Sequence, residues 1–439
     1  MAQVRGMSEA VAPPEWPGAT RMAFRFCFLY LSLYTLAGQI FGGVFVYPGL
    51  MPALGEVWPL RDLTFWTAEN VFGATPPVNY AGNSGDTLFH WVQTGLLLAL
   101  ATVGAAIWSA LDVRRSNYAT LDKWFRLYLR FALAAQMFYY ATAKIIPTQF
   151  PPPALVTLVR PVGDLSLTDL LWVFVGASMP YQMFTGWAEM LAGVLLVVPR
   201  TATLGALIAF ADLVQVFILN MTYDFGLKQI SFHLLVIALI LLAPDFRRLV
   251  NVLVLGRAAE ASSQPALFST LRANRLALAA QIVFGVFLIV MFTNLSLRFY
   301  VADGGAGAPK SPLYGIWDVE RLAIDGEVRL PFLNDYDRRW RRVIFDFTDR
   351  MFFQRWDDSY AGYGVSIDEG RRTLALTKGR SSTWTSTFAY DRPGPDRLIL
   401  EGEMDGHRIR AELQLLERDT FRLLNSGFRW VRPPDATGG

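Results

Sequence analysis

The run Gly304-Gly305-Ala306-Gly307-Ala308-Pro309-Lys310-Ser311-Pro312-Leu313-Tyr314-Gly315-Ile316-Trp317 divides the chain into two chemically different parts. Its first six residues have the small, turn-rich composition of a flexible linker. Its end opens a strand-like pattern. Of the 312 residues up to Pro312, 36 are charged, about 12%; of the 127 beyond it, 41 are charged, about 32%. A soluble domain averages about 25% charged residues. The average of 18% over all 439 residues therefore describes neither part. The first part reads as a membrane bundle and the second as a soluble domain. The formal net charge of +3 gives no case for nucleic-acid binding. A single cysteine, Cys27, excludes intramolecular disulfides, Cys-x-x-Cys redox chemistry and thiolate metal clusters.

Working back from the linker, seven segments have the length and apolarity of membrane spans, near 22–46, 88–110, 126–146, 181–199, 201–221, 229–244 and 276–298. Residues 1–21 form a polar N-terminal tail, 22–298 the transmembrane domain and 299–312 the linker. Residues 313–433 form the soluble domain and 434–439 a tail. With the N-terminus in the cytoplasm, 14 of the 20 basic residues of the first part fall on the inner side. The outer loop 47–87 carries only Arg61 against Glu56, Asp62, Glu69 and Asp86. An odd number of spans then places residues 299–439 outside, in the periplasm of a Gram-negative host. The predicted location is the inner membrane, multi-pass, with the bilayer itself as a partner. The outer loop 147–180 holds Pro147, Pro151, Pro152, Pro153 and Pro161, then the apolar stretch Leu170–Ala177. That stretch is too short to span and predicts an interfacial or re-entrant helix, capped by Ser166 or Thr168 with Asp169 in its first turn.

Ionisable groups inside a bilayer are costly and face a bundle interior or cavity. Here Lys144 closes the outer end of the third span, Glu189 lies mid-span in the fourth, Asp212 in the fifth, and His233 in the outer half of the sixth. Gln182, Thr185, Gly186, Glu189 and Gly193 share one helical stripe, and Gln136, Tyr140, Ala143 and Lys144 share another. Lys144, Glu189, Asp212, His233, Gln182 and Tyr140 are thus expected to line an outward-opening polar pocket between spans three to six. Gly186 and Gly193 equally suit plain helix packing, Lys144 equally suits snorkelling to headgroups, and His233 equally suits a satisfied packing position. Glu189 is the exception, because a mid-span carboxylate needs a partner or a proton.

Tyr139-Tyr140-Ala141-Thr142-Ala143-Lys144, Gly186-Trp187-Ala188-Glu189-Met190-Leu191-Ala192-Gly193, Pro199-Arg200-Thr201-Ala202 and Leu204-Gly205-Ala206 resemble the DoxX family of four-helix membrane proteins. The resemblance covers residues 126–250. Tyr223-Asp224 and Pro147-Thr148-Gln149-Phe150 resemble a larger subgroup of that family. An Ala-Thr-Ala-Lys run stands where the family carries a Gly-x-x-Lys form. The resemblance implies a DoxX-like four-helix core of spans three to six, and a quinone- or redox-associated membrane subunit with a respiratory or redox partner protein. Quinone is the cofactor it implies; the residues themselves name none. A more distant similarity is to the membrane core of vitamin K-dependent carboxylases.

Beyond the linker, about nine short period-two strands with turn signals predict a closed antiparallel barrel. They are expected at Gly315–Ala323, Arg342–Thr348, Met351–Trp356, Tyr363–Asp368, Thr373–Thr377, Thr383–Tyr390, Arg397–Met404, His407–Leu416 and Thr420–Leu424. Asp325-Gly326, Glu369-Gly370 and Asp405-Gly406 are predicted turns, and Asp357-Asp358 an exposed turn pair. Gly315-Ile316-Trp317 resembles the Gly-x-Trp opening of lipocalin-like barrels. In that resemblance Arg429 is the basic residue packed over Trp317. Trp317, Trp340, Trp356, Trp384 and Trp430 either fill the core or surround an apolar ligand. The arginines at 338, 339, 341 and 342 flank Trp340 and read as a solvated basic face or, in a domain close to the bilayer, as a cluster meeting anionic headgroups. No Walker A, Gly-x-Gly-x-x-Gly, Gly-x-Ser-x-Gly or His-Glu-x-x-His sequence occurs. With His90, His233 and His407 as the only histidines, no three-histidine zinc site or bis-histidine haem fits the bundle, and no metal is expected. Three functions stay open: a quinone-linked redox subunit, a protein that binds or passes a lipid or other apolar molecule, and a scaffold docking an outer partner. Whether the chain is an enzyme stays open with them.

Overall fold

The computed structural model describes residues 15–41, 44, 53–75, 85–259, 266–302, 305–330, 338–379, 383–425 and 430–431. The chain forms two compact units, residues 1–145 with 184–295, and residues 146–183 with 296–439.

The first unit is helical: α1 (Gly18–Ala37), α2 (Leu60–Phe72), α3 (Leu88–Leu111) and α4 (Ala119–Ile145), then α7 (Met179–Val197), α8 (Ala202–Thr222), α9 (Lys228–Leu242), α10 (Phe246–Leu253) and α11 (Leu271–Val301). Helices α7 and α11 run across the unit boundary. A helix occupies each of the seven predicted span positions. Among the described residues, four stretches are long and apolar enough to cross a membrane: Leu88–Leu111, Pro199–Thr222, Lys228–Leu253 and Leu271–Val301. The first helix ends at Ala37, short of the expected 46, where Gly38 takes an extended conformation. Helix α4 is the centre of the unit, with 14 buried residues among its 27. Leu129, Ala132, Leu133, Met137 and Phe138 are completely enclosed. Helix α9 is capped from a distance: the Asp86 carboxylate accepts from the backbone N–H groups of Lys228 (2.8 Å) and Gln229 (2.9 Å), which otherwise lack intrahelical partners.

The second unit contains a closed barrel of eight antiparallel strands. These are β1 (Gly315–Ile324), β3 (Trp340–Phe345), β4 (Arg350–Arg355), β5 (Tyr360–Asp368), β6 (Thr373–Thr377), β7 (Thr385–Gly394), β8 (Arg397–Met404) and β9 (His407–Leu415). Strand β1 pairs with β3 on one side and β9 on the other, with Trp317 opposite both Val343 and Leu415. The two-residue β2 (Glu327–Val328) extends only the end of β1. Asp325-Gly326 and Asp405-Gly406 have positive φ at both positions, as hairpin turns of this kind require. Inward side chains alternate along each strand, and Trp317, Phe345, Met351, Phe353, Leu376 and Phe388 fill the interior.

Several expectations are corrected here. Thr420–Leu424 is not a strand; a 3-10 turn (Arg418–Thr420) and a one-turn helix (Arg422–Asn425) stand there. The β1–β9 pairing has already closed the barrel, so no edge remains for a further strand, and Phe421 turns instead onto Leu155, Ile316 and Ile344. Trp430 is exposed, not core. The arginines at 338–342 do not form one solvated face. Arg341 bonds Asp358 at 2.8 Å, Arg342 bonds Asp318 at 2.8 Å, and Arg339 is buried with its guanidinium 5.3 Å from the Trp356 ring. Asp358 also accepts from Gln354 at 2.9 Å, so it is not a free turn residue. The described part of the linker is packed, not loose. Gly305 and Gly307 donate to Ala302 and Tyr300, and a Cβ on Gly307 would lie 2.1 Å from the Tyr300 ring.

The segment 146–183 belongs to the barrel unit. Ser166 and Asp169 form a reciprocal capping box at the start of α6 (Leu167–Gly176), the predicted short apolar helix. Upstream, a single turn α5 (Leu155–Leu158) lies on the barrel wall. Its Leu155 N–H donates to Asp346 at 2.7 Å, the Tyr360 hydroxyl donates to the Val159 carbonyl at 3.1 Å, and Leu155 is enclosed with Ile316 and Ile344.

Candidate functional site

The helical unit brings α4 and α7 together along a glycine seam. A Cβ on Gly186 would lie 2.9 Å from the Lys144 Cβ, and one on Gly193 would lie 2.5 Å from the Phe138 ring. Glu189 lies between these glycines on the same face. Close approach of the backbones therefore brings its carboxylate to the Lys144 ammonium. Lys144 Nζ donates to Glu189 Oε1, with the two residues 8% and 2% exposed. The stripe is a packing seam and a charge site at once.

Around this pair, Lys144 Nζ stands 5.9 Å from the Tyr140 ring centroid. The Tyr140 hydroxyl accepts from Gln39 Nε2 at 2.8 Å, and the same Gln39 amide donates to Gln136 Oε1 at 3.1 Å. Asp212 lies within electrostatic reach of both Glu189 and Lys144. Lys144 is ion-paired with Glu189 and lies in the field of Asp212 without an ion pair to it among the described residues. Glu189 Oε2 and Asp212 Oδ2 are buried and accept no hydrogen bond from the described residues. An unpartnered buried carboxylate oxygen is costly unless a proton or a donor from elsewhere reaches it.

Of the six residues expected in one pocket, Lys144, Glu189, Tyr140 and Asp212 converge. His233 faces α1 instead. Its Nδ1 donates to the Gln229 carbonyl at 2.7 Å, which makes Nε2 the acceptor for the Tyr30 hydroxyl at 2.7 Å. The Tyr34 ring stacks on it at 3.6 Å. That is a satisfied histidine held by the first helix, which helical spacing within one span does not reveal. Gln182 is fully buried near the start of α7. Gln39, Tyr30 and Tyr34 complete these networks from the α1 side of the bundle, a contribution that periodicity within the polar spans does not encode. In the barrel, Gly315 has φ 155° and a Cβ there would lie 2.5 Å from Leu415. Trp317 is fully buried, its indole N–H donating to the Leu313 carbonyl at 2.9 Å. Arg429 lies outside the described residues. A cation does stand near Trp317, from β7: the Arg392 guanidinium is 5.8 Å from its ring. Among the described residues, no three His, Cys, Asp or Glu side chains cluster as a metal site.

Fold and site together define a protein with, among its described residues, four helices long and apolar enough to cross a membrane, an enclosed ion pair in the helical unit, and a closed β-barrel domain. The chain belongs to the same family as the uncharacterized protein YwoB of Bacillus subtilis (strain 168), to which it is 36% identical over 140 residues. That similarity covers 32% of this chain and 84% of YwoB. No family model and no solved structure matches the chain.

Proposed function

We propose that the chain is a seven-span, DoxX-like inner-membrane protein whose Lys144–Glu189–Asp212 cluster serves a quinone or a quinone-linked redox partner, with the lipocalin-like barrel outside the cytoplasm. The observation that carries this reading is the enclosed Lys144–Glu189 ion pair with the half-buried Asp212 near it, each acid keeping an oxygen that receives no hydrogen bond from the described residues. Such a cluster can accept a hydrogen bond from a quinol hydroxyl and exchange a proton with it, which a purely structural ion pair has no need to do. The topology draws support from the barrel unit. Residues 146–183 pack with 296–439, so both lie on one side, and the number of crossings between them must be even. Helices α7, α8, α9 and α11 supply four. The side opposite carries most of the Lys and Arg, which favours a cytoplasmic inner face.

The test is purification of the full chain in mild detergent, extraction of bound quinones, and titration with ubiquinone and menaquinone analogues read by tryptophan quenching and thermal shift. The expected result is bound quinone in the wild type and about tenfold weaker binding in Glu189→Gln, the loss of one charge-assisted hydrogen bond. Absence of co-purified quinone together with no thermal shift from either analogue refutes the reading.

A further inference from the structure

Two buried arginines of the helical unit differ in how their charge is met. Arg25 uses every arm: Nε donates to the Tyr118 hydroxyl, Nη1 to Ser109 Oγ and Nη2 to the Asp112 carbonyl, at 2.8, 2.9 and 2.8 Å. Arg130, on α4, is 8% exposed. Its Nη2 donates to Gln281 Oε1, its Nε has no acceptor, and it makes no ion pair among the described residues. Buried charges in proteins are paired. Arg130 is short of an anion.

It also lines a cavity of about 730 Å³ between α4, the turn joining α7 to α8, and the start of α11. The two carboxylates in the wall are committed elsewhere. Asp122 holds Arg126 at 2.7 Å, and Asp245 accepts from Arg248 and from Thr203. Arg200, exposed in the α7–α8 turn, also lines the cavity and forms no ion pair among the described residues. Leu127, Leu196, Leu241 and Leu278 supply apolar wall. The volume falls in the range of about 300–1,000 Å³ usual for small-molecule sites. A cavity with uncompensated guanidinium charge and leucine walls matches a ligand with an anionic head and an alkyl chain. Basic pockets between spanning helices recognise lipid head groups in the same way.

We propose that this cavity binds an anionic amphiphile, a phosphate or carboxylate head on Arg130 and Arg200 with its chain along the leucines. The site shares no residue with the Lys144–Glu189 cluster and stands independently of the quinone reading. The test uses the full chain in phosphatidylcholine nanodiscs, titrated with lysophosphatidylglycerol, lysophosphatidylcholine or inorganic phosphate, and read by native mass spectrometry and unfolding temperature. Lysophosphatidylglycerol is expected to bind and raise the unfolding temperature, with lysophosphatidylcholine at least about tenfold weaker and phosphate alone without effect. Arg130→Gln is expected to weaken lysophosphatidylglycerol about tenfold or more, and Arg200→Gln by a smaller factor. Arg200 is exposed, so that variant carries the test if Arg130→Gln does not fold. Equal binding of the two lysolipids, or unchanged affinity in every folded variant, overturns the proposal. Protection by phosphate equal to that by the lysolipid overturns the amphiphile and leaves a soluble anion as the occupant.

Discussion

Removal of Lys144 tests the reading of the intramembrane cluster most directly. The pair it forms with Glu189 is almost fully enclosed. Removing one partner of a buried ion pair costs about 3–5 kcal/mol, because the other charge is left uncompensated. The two single substitutions are not equivalent here. Lys144→Met leaves Glu189 and Asp212, two carboxylates within reach of one another, with no cation between them. Glu189→Gln leaves Lys144 with Asp212 still in reach. Lys144→Met is therefore expected at the upper end, about 4–5 kcal/mol, and Glu189→Gln at about 3 kcal/mol or less. The double variant has neither charge stranded and should cost less than the sum, with a coupling of about 2–3 kcal/mol. Asp212→Asn placed on Lys144→Met should restore about 1 kcal/mol by removing one like charge. Reversible unfolding of the full chain in mixed micelles, followed by far-ultraviolet circular dichroism, gives all five free energies. A coupling below about 0.5 kcal/mol, or Lys144→Met costing no more than Glu189→Gln, refutes the shared-cation description.

The remaining predictions concern packing and pH. Gly186→Val pushes a side chain into the Lys144 Cβ and the Ala141 carbonyl, and should destabilise by about 1–3 kcal/mol; Gly95→Ala, where a Cβ meets nothing within 4 Å, should stabilise by up to about 1 kcal/mol in the same unfolding assay. Leu155→Ala removes an enclosed side chain between Ile316 and Ile344, worth about 2–5 kcal/mol, and should expose segment 146–166 to protease while barrel tryptophan emission is unchanged. Burial pushes the Asp346 carboxyl above its ordinary value, against the Leu155 and Val156 N–H groups that favour the ionised form. A carboxyl raised on folding contributes stability fully below its unfolded value of about 3.9 and loses it as pH rises through the folded value. The unfolding temperature of the wild type relative to Asp346→Asn should accordingly fall as pH is raised from about 4 to 7, and a constant difference across that range contradicts the assignment.

What the sequence disclosed follows from which interactions are local. Turns needing positive φ are written in Asp325-Gly326 and Asp405-Gly406, and the strands between them in alternation, because both depend on adjacent residues. The Ser166–Asp169 capping box is equally local. Thr420–Leu424 has the composition of a strand, and whether it pairs depends on a free edge elsewhere, which barrel closure had removed. In the site, helical spacing placed Lys144 and Glu189 on facing stripes, and the glycines beside Glu189 marked the seam that joins them. His233 has the same sequence credentials. Its partner is a tyrosine 203 residues earlier, and no periodicity within α9 encodes that choice. Arg130 counts as one more basic residue of an inner loop until the packing of α11 shows it enclosed against Gln281.

The distribution of polarity across the helical unit inverts that of a water-soluble protein, and this bears on the three predicted spans that the apolarity criterion omits. Helices that pass it present large apolar side chains outward: Val103 is 58% exposed on α3 and Val283 68% exposed on α11. Helix α4 carries Arg130, Gln136, Thr142 and Lys144 and has 14 buried residues among its 27. In water such outer surfaces would drive aggregation and such a centre would be the costly choice. In a bilayer the arrangement is the favourable one, since lipid faces must be apolar and polar groups must turn inward to find partners. Apolarity thus passes over α4, whose polar residues the neighbouring helices enclose. On the seven-span proposal, the predicted span 126–146 then carries a cation toward each end. Lys144 and Arg130 are fourteen residues apart, about 21 Å along the axis at 1.5 Å per residue. One cation is met by Glu189 and the other by no anion of the described chain. The same helix that holds the internal ion pair at its outer end is thereby left, nearer the inner face, with a charge for something outside the protein to satisfy.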